Sequence, residues 1–369
     1  MIGPNRLEVR EFPAPTPEPG SVVLNTVLSE VCGTDVHLLH GRLSGVPYPI
    51  IPGHVSVGRI AHIEDAASDV EGVPLGIGDL VTFLDVYGTC GKCWYCQVAQ
   101  ASTRCPERRV YGITMSADDG LLGGWSEQIY LKPGTRILPL GSASPEAYMG
   151  GGCGLATALH AVERAEIRFG DTVLIQGSGP VGLNALILAR LKGATRLMMI
   201  GGGADERRDM ALRLGADLWL DVFHTTESER AGAVRDATGG RGADVVIEAS
   251  GNPAAVPEGM RLTRDAGAYI IVGQYTDNGD ATLNPHLDIN RKHLRIQGVW
   301  GSDYSHVHRA LKILQRYEAE VPWSDFLTKT YTLDEMNLAL ADVERATVIK
   351  AAVRPQKEIG KRGQMEIGK

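Results

Sequence analysis

The chain has 369 residues, which is too long for one ordinary hydrophobic core and suggests about two domains. Hydrophobic residues make up 43% of the sequence and charged residues 22%, as is usual in folded globular proteins. The formal net charge of -7 offers no general attraction for nucleic acid or anionic lipid, so the composition disfavours both classes of partner.

The N-terminal stretch MIGPNRLEVREFPAPTPEPG lacks the apolar run behind a basic start that marks a secretory signal. No segment approaches the roughly twenty apolar residues that a membrane-spanning helix needs. We therefore expect a cytoplasmic protein whose cysteines remain reduced.

The first 150 residues consist of short β-like segments interrupted by Gly and Pro, such as SVVLNTVLSEV and GDLVTFLDV. This pattern predicts a strand-and-loop domain. From about residue 170, apolar strands alternate with amphipathic helices that we expect to end at Gly193, Gly215 and Gly267. Such alternation predicts a parallel sheet covered by helices on both faces.

One further helix is predicted over about 303–318, and the β-like VIKAAVRP indicates that the chain returns to its first domain. The last dozen residues resemble a solvated tail. The predicted division is 1–153 for the first domain, 154–297 for the second and 298–369 for the return and tail.

Four cysteines lie close together in CGKCWYCQVAQASTRC, at Cys90, Cys93, Cys96 and Cys105. Thiolates with this spacing converge on one ion and complete a tetrahedral zinc shell without an open position, so they predict a structural zinc lobe over about 88–106. Unrelated cysteines, disulfides and a redox pair are the alternatives. A reducing compartment and the absence of a strand–helix context count against the last two.

The remaining cysteines, Cys32 in EVCGTDVHLLHG and Cys153 in GGGCGLATALHAV, would each pass alone for a buried apolar side chain. With His54 of PGHVSVG they form a Cys2His set, which catalytic zinc uses while keeping one position open. Asp35 is a candidate to orient the His54 ring. A turn-capping role for Asp35 explains the sequence equally well.

The stretch LIQGSGPVG contains Gly177, Gly179 and Gly182 as G-x-G-x-x-G, after an apolar strand and at the start of a helix. That context is the one required by the dinucleotide-binding fingerprint, in which the backbone approaches the pyrophosphate. A purely structural Gly-rich turn is the alternative. The predicted cofactor contacts also include Pro180 and, after the strand AYIIVG, Gly273.

The end of the second strand of this domain should distinguish NAD from NADP, because an acidic residue there binds the ribose hydroxyls. The sequence MMIGGGADERR places Gly202 at that position. This leaves room for a 2'-phosphate, which Arg207 or Arg208 could reach. Both arginines could instead be solvated helix charges, and Asp205 could bind the ribose of NAD, so the choice stays open.

Together these motifs resemble the zinc-dependent medium-chain alcohol dehydrogenases over nearly the whole chain. CGTDVH, PGHVSVG, the four-cysteine lobe, GCGLATALHAV, GSGPVG and KAAVRP occur in the order of that family, and all six cysteines have a place in it. The resemblance implies a GroES-like β-barrel catalytic domain with an inserted Rossmann domain, two zinc ions, NAD or NADP, and a homodimer or homotetramer.

The resemblance also implies that zinc acts as a Lewis acid on the substrate oxygen while hydride passes between the carbinol carbon and the nicotinamide. The family's proton relay would begin at Thr34 and pass through the cofactor ribose to His37. Thr157 and Val181 match positions near the nicotinamide, and Trp300 would border the substrate cleft. Turn, surface or packing roles are the alternatives for all five residues.

The sequence departs from the family pattern at Val55, which stands where the usual G-H-E motif has a carboxylate. The lobe is one residue longer than usual before Cys105. The chain also begins at what resembles the end of the family's first strand.

The leading hypothesis is a zinc-dependent oxidoreductase that transfers hydride between NAD(P) and an alcohol, uncharged and possibly secondary, because few charged residues flank the cleft motifs. An NADPH-dependent reductase of a carbonyl or activated alkene is the second hypothesis. An inactive dinucleotide-binding protein, suggested by Val55, is the third.

Overall fold

A computed structural model describes residues 1–356, so the predicted tail of the last dozen residues lies outside the described residues. The N-terminal part contains β1 (Val22–Val31), α1 (Gly33–Leu39), β2 (Ser56–Ile63), β3 (Leu80–Phe83), β4 (Val86–Gly88), α2 (Trp94–Gln97), β5 (Arg109–Val110), β6 (Gln128–Leu131) and β7 (Ile137–Pro139). These are the short strands and loops that the Gly- and Pro-rich sequence predicts.

The central part alternates strands and helices. It contains α3 (Pro145–Ala165), β8 (Thr172–Gln176), α4 (Pro180–Leu191), β9 (Arg196–Gly201), α5 (Asp205–Arg213), β10 (Leu218–Asp221), α6 (Glu227–Ala237), β11 (Ala243–Glu248), α7 (Ala255–Leu262), β12 (Thr263–Ile271) and β13 (Arg295–Gly298). The chain ends with α8 (Tyr304–Tyr317), β14 (Leu327–Tyr331), α9 (Met336–Glu344) and β15 (Lys350–Val353).

The strands from β8 to β13 form a six-stranded sheet in which every pairing is parallel. Counted from β8, the strand order is 3-2-1-4-5-6, the order of a Rossmann dinucleotide-binding sheet. Its central strands are apolar on both faces because helices cover both sides. The predicted doubly wound α/β fold is confirmed.

The other large sheet has seven strands in the order β14-β15-β1-β2-β3-β7, with β6 also pairing with β1. Strand β15 runs antiparallel to β1, and Val31 is opposite Ala351. The C-terminal segment therefore returns to the sheet of the N-terminal strands, as the sequence predicts. This pairing places β15 beside the end of β1.

Two of the three predicted helix ends are correct. Gly193 and Gly215 follow α4 and α5 with positive φ angles of 98° and 94°. The prediction for Gly267 is wrong, because α7 ends at Leu262 and β12 begins at the next residue. Thr263 pairs with Ala243 of β11, and the register shift that follows lets residues 264–267 belong to the strand.

Helix α3 connects the two sheets and is interrupted at Gly152, where φ is 47° and ψ is -146°. Its C-terminal half packs against α4, and the buried Trp323 donates a hydrogen bond from Nε1 to Asn184 Oδ1 of α4 at 2.9 Å. The interruption turns the following residue, Cys153, toward the end of β1. No helix among residues 1–356 is both long and apolar enough to cross a membrane.

Candidate metal centre and cofactor cleft

The three side chains predicted to bind the catalytic metal come from three separate elements. Cys32 is the residue between β1 and α1, His54 lies in the loop before β2, and Cys153 follows the interruption of α3. Their ligand atoms all lie within 4.8 Å of one another. A tetrahedral zinc ion with Zn–S bonds near 2.3 Å holds its sulfur ligands about 3.8 Å apart, so the cluster has the dimensions of a zinc site.

The electrostatics of this cluster also suit a cation. Contact with Cys32 lowers the pKa of Cys153 to about 7, while contact with Cys153 and burial raise the pKa of Cys32 well above its ordinary value. Burial opposes the charged form of His54, but contact with the Cys153 sulfur and nearby carboxylates raise its pKa to about 10. Two sulfurs and an imidazole in mutual contact form a ligand set suited to zinc, which binds such groups in their deprotonated form.

Asp35 is buried beneath this cluster, and its Oδ2 accepts a hydrogen bond from the Cys32 backbone amide at 2.9 Å. This bond caps α1 and holds Cys32 in place. The predicted bond to the His54 ring is not formed. Asp35 Oδ1 and His54 Nδ1 both have no hydrogen-bond partner among the described residues, although the two groups interact electrostatically.

A second carboxylate at the cluster was not expected from the sequence. Glu30 Oε2 accepts a hydrogen bond from the Cys153 amide at 3.0 Å, and Oε1 accepts one from the Cys153 thiol at 3.2 Å. Glu30 also forms an ion pair with Lys350 of β15. Burial alone would raise the pKa of Glu30, but the Lys350 ammonium holds that pKa below its usual range. A glutamate inside the apolar strand VVLNTVLSEV was the available sequence signal.

The four remaining cysteines form a separate cluster whose sulfur atoms also lie within 4.8 Å of one another. Backbone amides point at the sulfurs, since Cys93 N donates to Cys90 Sγ and Cys90 N donates to Cys105 Sγ, both at 3.3 Å. All six cysteines are free thiols. The extra residue before Cys105 therefore does not prevent the fourth sulfur from reaching the other three.

The metal-ligand cluster lines a cavity of about 350 Å³ between the two large sheets. The same cavity is lined by Gly179, Pro180 and Val181 at the start of α4, and by Thr157 of α3 and Gly273 after β12. The fingerprint turn and the candidate metal centre thus face one cleft, which is the arrangement needed for hydride transfer between a bound substrate and a nicotinamide.

Each fingerprint glycine has a distinct environment. Gly177 has a φ of 108°, and an added Cβ would lie 2.8 Å from the Ala249 carbonyl group. At Gly182 an added Cβ would lie 1.8 Å from the Gly177 carbonyl oxygen, so α4 can approach the turn only with glycine here. At Gly179 an added Cβ would meet nothing within 4 Å, which leaves open space at the helix N-terminus for a pyrophosphate.

Gly202 ends up beside aromatic rather than acidic neighbours. An added Cβ would lie 2.5 Å from the Phe223 ring, and the Gly202 amide and carbonyl bond to the Ser178 hydroxyl. The two nearby arginines differ. Arg208 is exposed and paired with Asp205 and Asp209, whereas Arg207 lines the cleft.

Arg207 donates from Nη2 to the Val348 carbonyl at 2.8 Å, and its Nε has no partner among the described residues. Burial lowers the pKa of Arg207, and no carboxylate of the described chain pairs with it. A buried guanidinium without a carboxylate is a favourable neighbour for an anion.

Thr34 and His37 both line the cleft near the metal-ligand cluster. His37 Nδ1 contacts Thr276 Oγ1 at 3.2 Å, and burial lowers the pKa of His37 below its ordinary value. Trp300 also lines the cleft, where its ring stacks on Tyr275 with centroids 5.4 Å apart. Thr276 and Tyr275 carried no motif that would have indicated these contacts from the sequence.

Two charged residues of the cleft wall were also missed. Asp85 lies near enough to His54 to raise the pKa of the His54 ring. The Arg108 guanidinium lies 5.9 Å from the Trp300 ring centroid. Among the described residues Arg108 forms no ion pair within 4.0 Å. Both lie outside the recognisable motifs, which is why their position could not be read from the sequence.

Comparison with known proteins agrees with this geometry. Residues 18–142 match the family model described as the alcohol dehydrogenase GroES-like domain, and residues 180–316 match the model described as zinc-binding dehydrogenase. The chain is 33% identical over 356 residues to 5-exo-hydroxycamphor dehydrogenase of Pseudomonas putida, a match that covers 96% of this chain and 97% of that protein. The chain belongs to the zinc-dependent medium-chain alcohol dehydrogenase family.

Solved structures of the family superpose closely. An alcohol dehydrogenase from Thermotoga maritima matches with a TM-score of 0.88 and 34% identity, covering 94% of this chain and 95% of that one. A zinc-binding dehydrogenase from Sinorhizobium meliloti 1021 bound to NADP matches with a TM-score of 0.80 and 27% identity, covering 96% and 97%. The predicted family, the GroES-like and Rossmann architecture, and the use of zinc and NAD(P) are confirmed. The protein is a zinc-dependent oxidoreductase of alcohols.

Proposed function

We propose that the enzyme interconverts an uncharged secondary alcohol and its ketone, with a catalytic zinc ion on Cys32, His54 and Cys153. A structural zinc ion would bind Cys90, Cys93, Cys96 and Cys105. The observation that carries this proposal is the meeting of a Cys2His set and a glycine fingerprint at one cleft. Bound at the first set, zinc supplies Lewis acidity to the substrate oxygen and leaves one position open for it.

The proposed catalytic and dinucleotide-binding parts of the chain correspond to the two large sheets. Residues 1–153 and 298–369 would form the catalytic part, and residues 154–297 would bind the dinucleotide. Apart from the separate β4-β5 pair, the strands between residues 22 and 139 share a sheet with those between 327 and 353, whereas the strands between 172 and 298 form the parallel sheet. The cleft between them would then receive nicotinamide and substrate from opposite sides.

Thr34 and His37 are the proposed proton carriers of the cleft. Thr34 lines the same cleft as the metal ligands, and His37 contacts Thr276 through Nδ1. Because burial lowers its pKa, His37 is neutral near pH 7 and can accept the proton that alcohol oxidation releases. Asp35 would contribute by holding Cys32 through the backbone amide.

The substrate class is proposed from the cleft wall, where Phe83, Ile113 and Trp300 are apolar or aromatic. The relative from Pseudomonas putida is named for a hydroxylated camphor, which fits a wall of this kind. Arg108 gives a specific reason to test anionic alcohols as well, since its guanidinium lies in the same wall without a carboxylate partner.

The cofactor is proposed to be NADP in preference to NAD, because Gly202 offers no carboxylate to the ribose hydroxyls and Arg207 of the cleft would bind the 2'-phosphate. The guanidinium of Arg207, whose Nε has no partner among the described residues, and the NADP-bound structural relative support this choice. The position of Arg207 in the cleft also favours a second candidate function, in which the enzyme works mainly as an NADPH-dependent carbonyl reductase.

Assembly into a homodimer or homotetramer is also proposed. Strand β13 is the edge of the six-stranded sheet, and a second copy could pair with its free backbone groups. Reduced thiols at all six cysteines are needed by both metal sets, so we propose a cytoplasmic location.

Metal analysis tests the two ligand sets. The purified enzyme should contain close to two zinc ions per chain, and Cys153→Ala should contain one and lose activity by more than about 10³-fold because the open coordination site is lost. Cys96→Ala is the matched control and should lose the lobe ion instead. Full activity of Cys153→Ala would contradict the catalytic assignment.

The pH dependence of alcohol oxidation tests His37. Only the neutral His37 ring accepts a proton, and burial holds its pKa below the ordinary 6.5. The wild-type rate should therefore stay high down to a pH somewhat below 6.5 and then fall as the ring becomes protonated. His37→Gln should lower kcat by roughly 10²-fold and remove this acidic decline. His62→Gln, which changes an exposed ring paired with Glu64, should leave the profile unchanged. An unaltered profile in His37→Gln would rule out the relay.

Calorimetric titration of the two nucleotides tests Arg207. Arg207→Gln should weaken NADP binding by about 10- to 100-fold, because charge-assisted hydrogen bonds contribute roughly 1.5–3 kcal/mol, and should change NAD binding by less than about 3-fold. Arg208→Gln should affect neither nucleotide, since its charge is already paired. An equal loss for NAD and NADP would remove the 2'-phosphate assignment.

A substrate panel tests the class of alcohol. The highest kcat/KM should be found with uncharged secondary alcohols, ahead of phosphorylated polyols and hydroxy amino acids. Arg108→Met should then change kcat/KM for the best alcohol by less than about 3-fold. A preference for an anionic alcohol that Arg108→Met reduces by about 10-fold or more would replace the proposed class.

A further inference from the structure

Glu30 and Lys350 form the most deeply buried ion pair beside the candidate metal centre, with exposed side-chain fractions of 0% and 1%. Glu30 lies two residues before Cys32 on β1, and Lys350 is the first residue of β15. The antiparallel pairing of these strands brings the two side chains together below Cys153.

The Glu30 carboxylate is engaged on both oxygens. Oε2 accepts the backbone amide of Cys153 at 3.0 Å, and Oε1 contacts the Cys153 sulfur at 3.2 Å and the Lys350 ammonium. The Lys350 ammonium has no hydrogen-bond partner of good geometry among the other described residues. Apart from the ion pair itself, the side-chain contacts of Glu30 are therefore made to Cys153.

The chain makes a specific accommodation for this contact. At Gly152 an added Cβ would lie within 2.4 Å of both Glu30 Oε2 and Lys350 Nζ. Only glycine can thus occupy the residue next to Cys153 while the pair stays in place.

Stability alone does not explain such a pair. Removing two charges from water costs several kcal/mol per ion, and apolar residues of similar volume often serve a protein core as well or better. An ion pair that is buried, contacts a metal ligand and requires a glycine beside it fits a role in the site better than a role in folding.

The neighbour of Glu30 across the sheet is the residue that follows His54. The Glu30 amide donates to the Val55 carbonyl at 2.9 Å, and both residues line the cleft. Val55 brings no carboxylate to the metal centre, whereas Glu30 brings one from the adjacent strand. The carboxylate beside the metal ligands is therefore present, but it comes from β1 and not from the His54 loop.

We propose that Glu30, held by Lys350, is a positioning residue that fixes the Cys153 backbone amide, and through it the position of the sulfur for metal binding, and supplies the carboxylate that residue 55 lacks. The proposal rests on the proposed zinc ligands Cys32, His54 and Cys153. Lys350 neutralises Glu30, so this carboxylate adds no net charge beside two thiolates that would neutralise a divalent ion.

Zinc release from the intact enzyme to a chromogenic chelator tests the proposal. Two kinetic phases are expected, and the phase missing in Cys153→Ala identifies the catalytic ion. Glu30→Gln should accelerate that phase and lower the zinc affinity by about 10- to 100-fold, as loss of an outer contact to a metal ligand typically does. The lobe phase should not change.

Glu258→Gln is the matched control, because Glu258 forms a buried ion pair with Arg230 at 2.6 Å in the Rossmann part. It should change thermal stability but neither zinc phase. If Glu30→Gln does not fold because Lys350 is left unpaired, the double variant Glu30→Gln/Lys350→Gln removes both charges and should fold with the same fast zinc release.

The cobalt-substituted enzyme gives a second readout. Its visible absorption bands should shift in the Glu30 variants and not in Glu258→Gln. Zinc release and cobalt bands identical to those of the wild type in a folded Glu30 variant would overturn the proposal. A wild-type enzyme that lacks the Cys153-dependent ion would instead refute the proposed zinc ligands themselves.

Discussion

The structure depends on bringing the end of β1, the loop before β2 and an interrupted helix to one point. Cys32, His54 and Cys153 are separated by long stretches of sequence, and their side chains meet only because these three elements converge. A continuous α3 would carry Cys153 away from β1. The non-helical backbone at Gly152 is thus the local feature that the metal centre requires.

Electrostatics imposes a second requirement on the same point. Sulfur ligands, an imidazole and two carboxylates lie within one poorly solvated region, where like charges repel strongly. Lys350 from β15 balances Glu30, and the Asp35 carboxylate is directed to the Cys32 amide. The return of the chain end to the first sheet therefore contributes a charge to the site as well as a strand.

The dinucleotide side of the cleft follows simpler rules. Gly177 and Gly182 permit close approach of the turn and α4, and Gly179 leaves space at the helix N-terminus. Glu248 at the end of β11 accepts hydrogen bonds from the amides of Ser250 and Gly251 and so orders the loop beside the cleft. Sequence reasoning found the glycines, because they occur in a short pattern with a fixed physical purpose. It did not find Glu248, whose partners are set by the folded loop.

The amino-acid sequence by itself determined the fold class, the four-cysteine lobe, the fingerprint and the return of the C-terminal strand, because each depends on local spacing or on a recurring apolar period. Tertiary structure decided the features that depend on contacts between residues far apart in the chain. The end of α7, the pairing of Glu30 with Lys350, the different environments of Arg207 and Arg208, and the charges of Asp85 and Arg108 in the cleft all depend on which distant residues become neighbours. Such contacts form only when the sheets assemble, and for this reason no sequence motif could predict them.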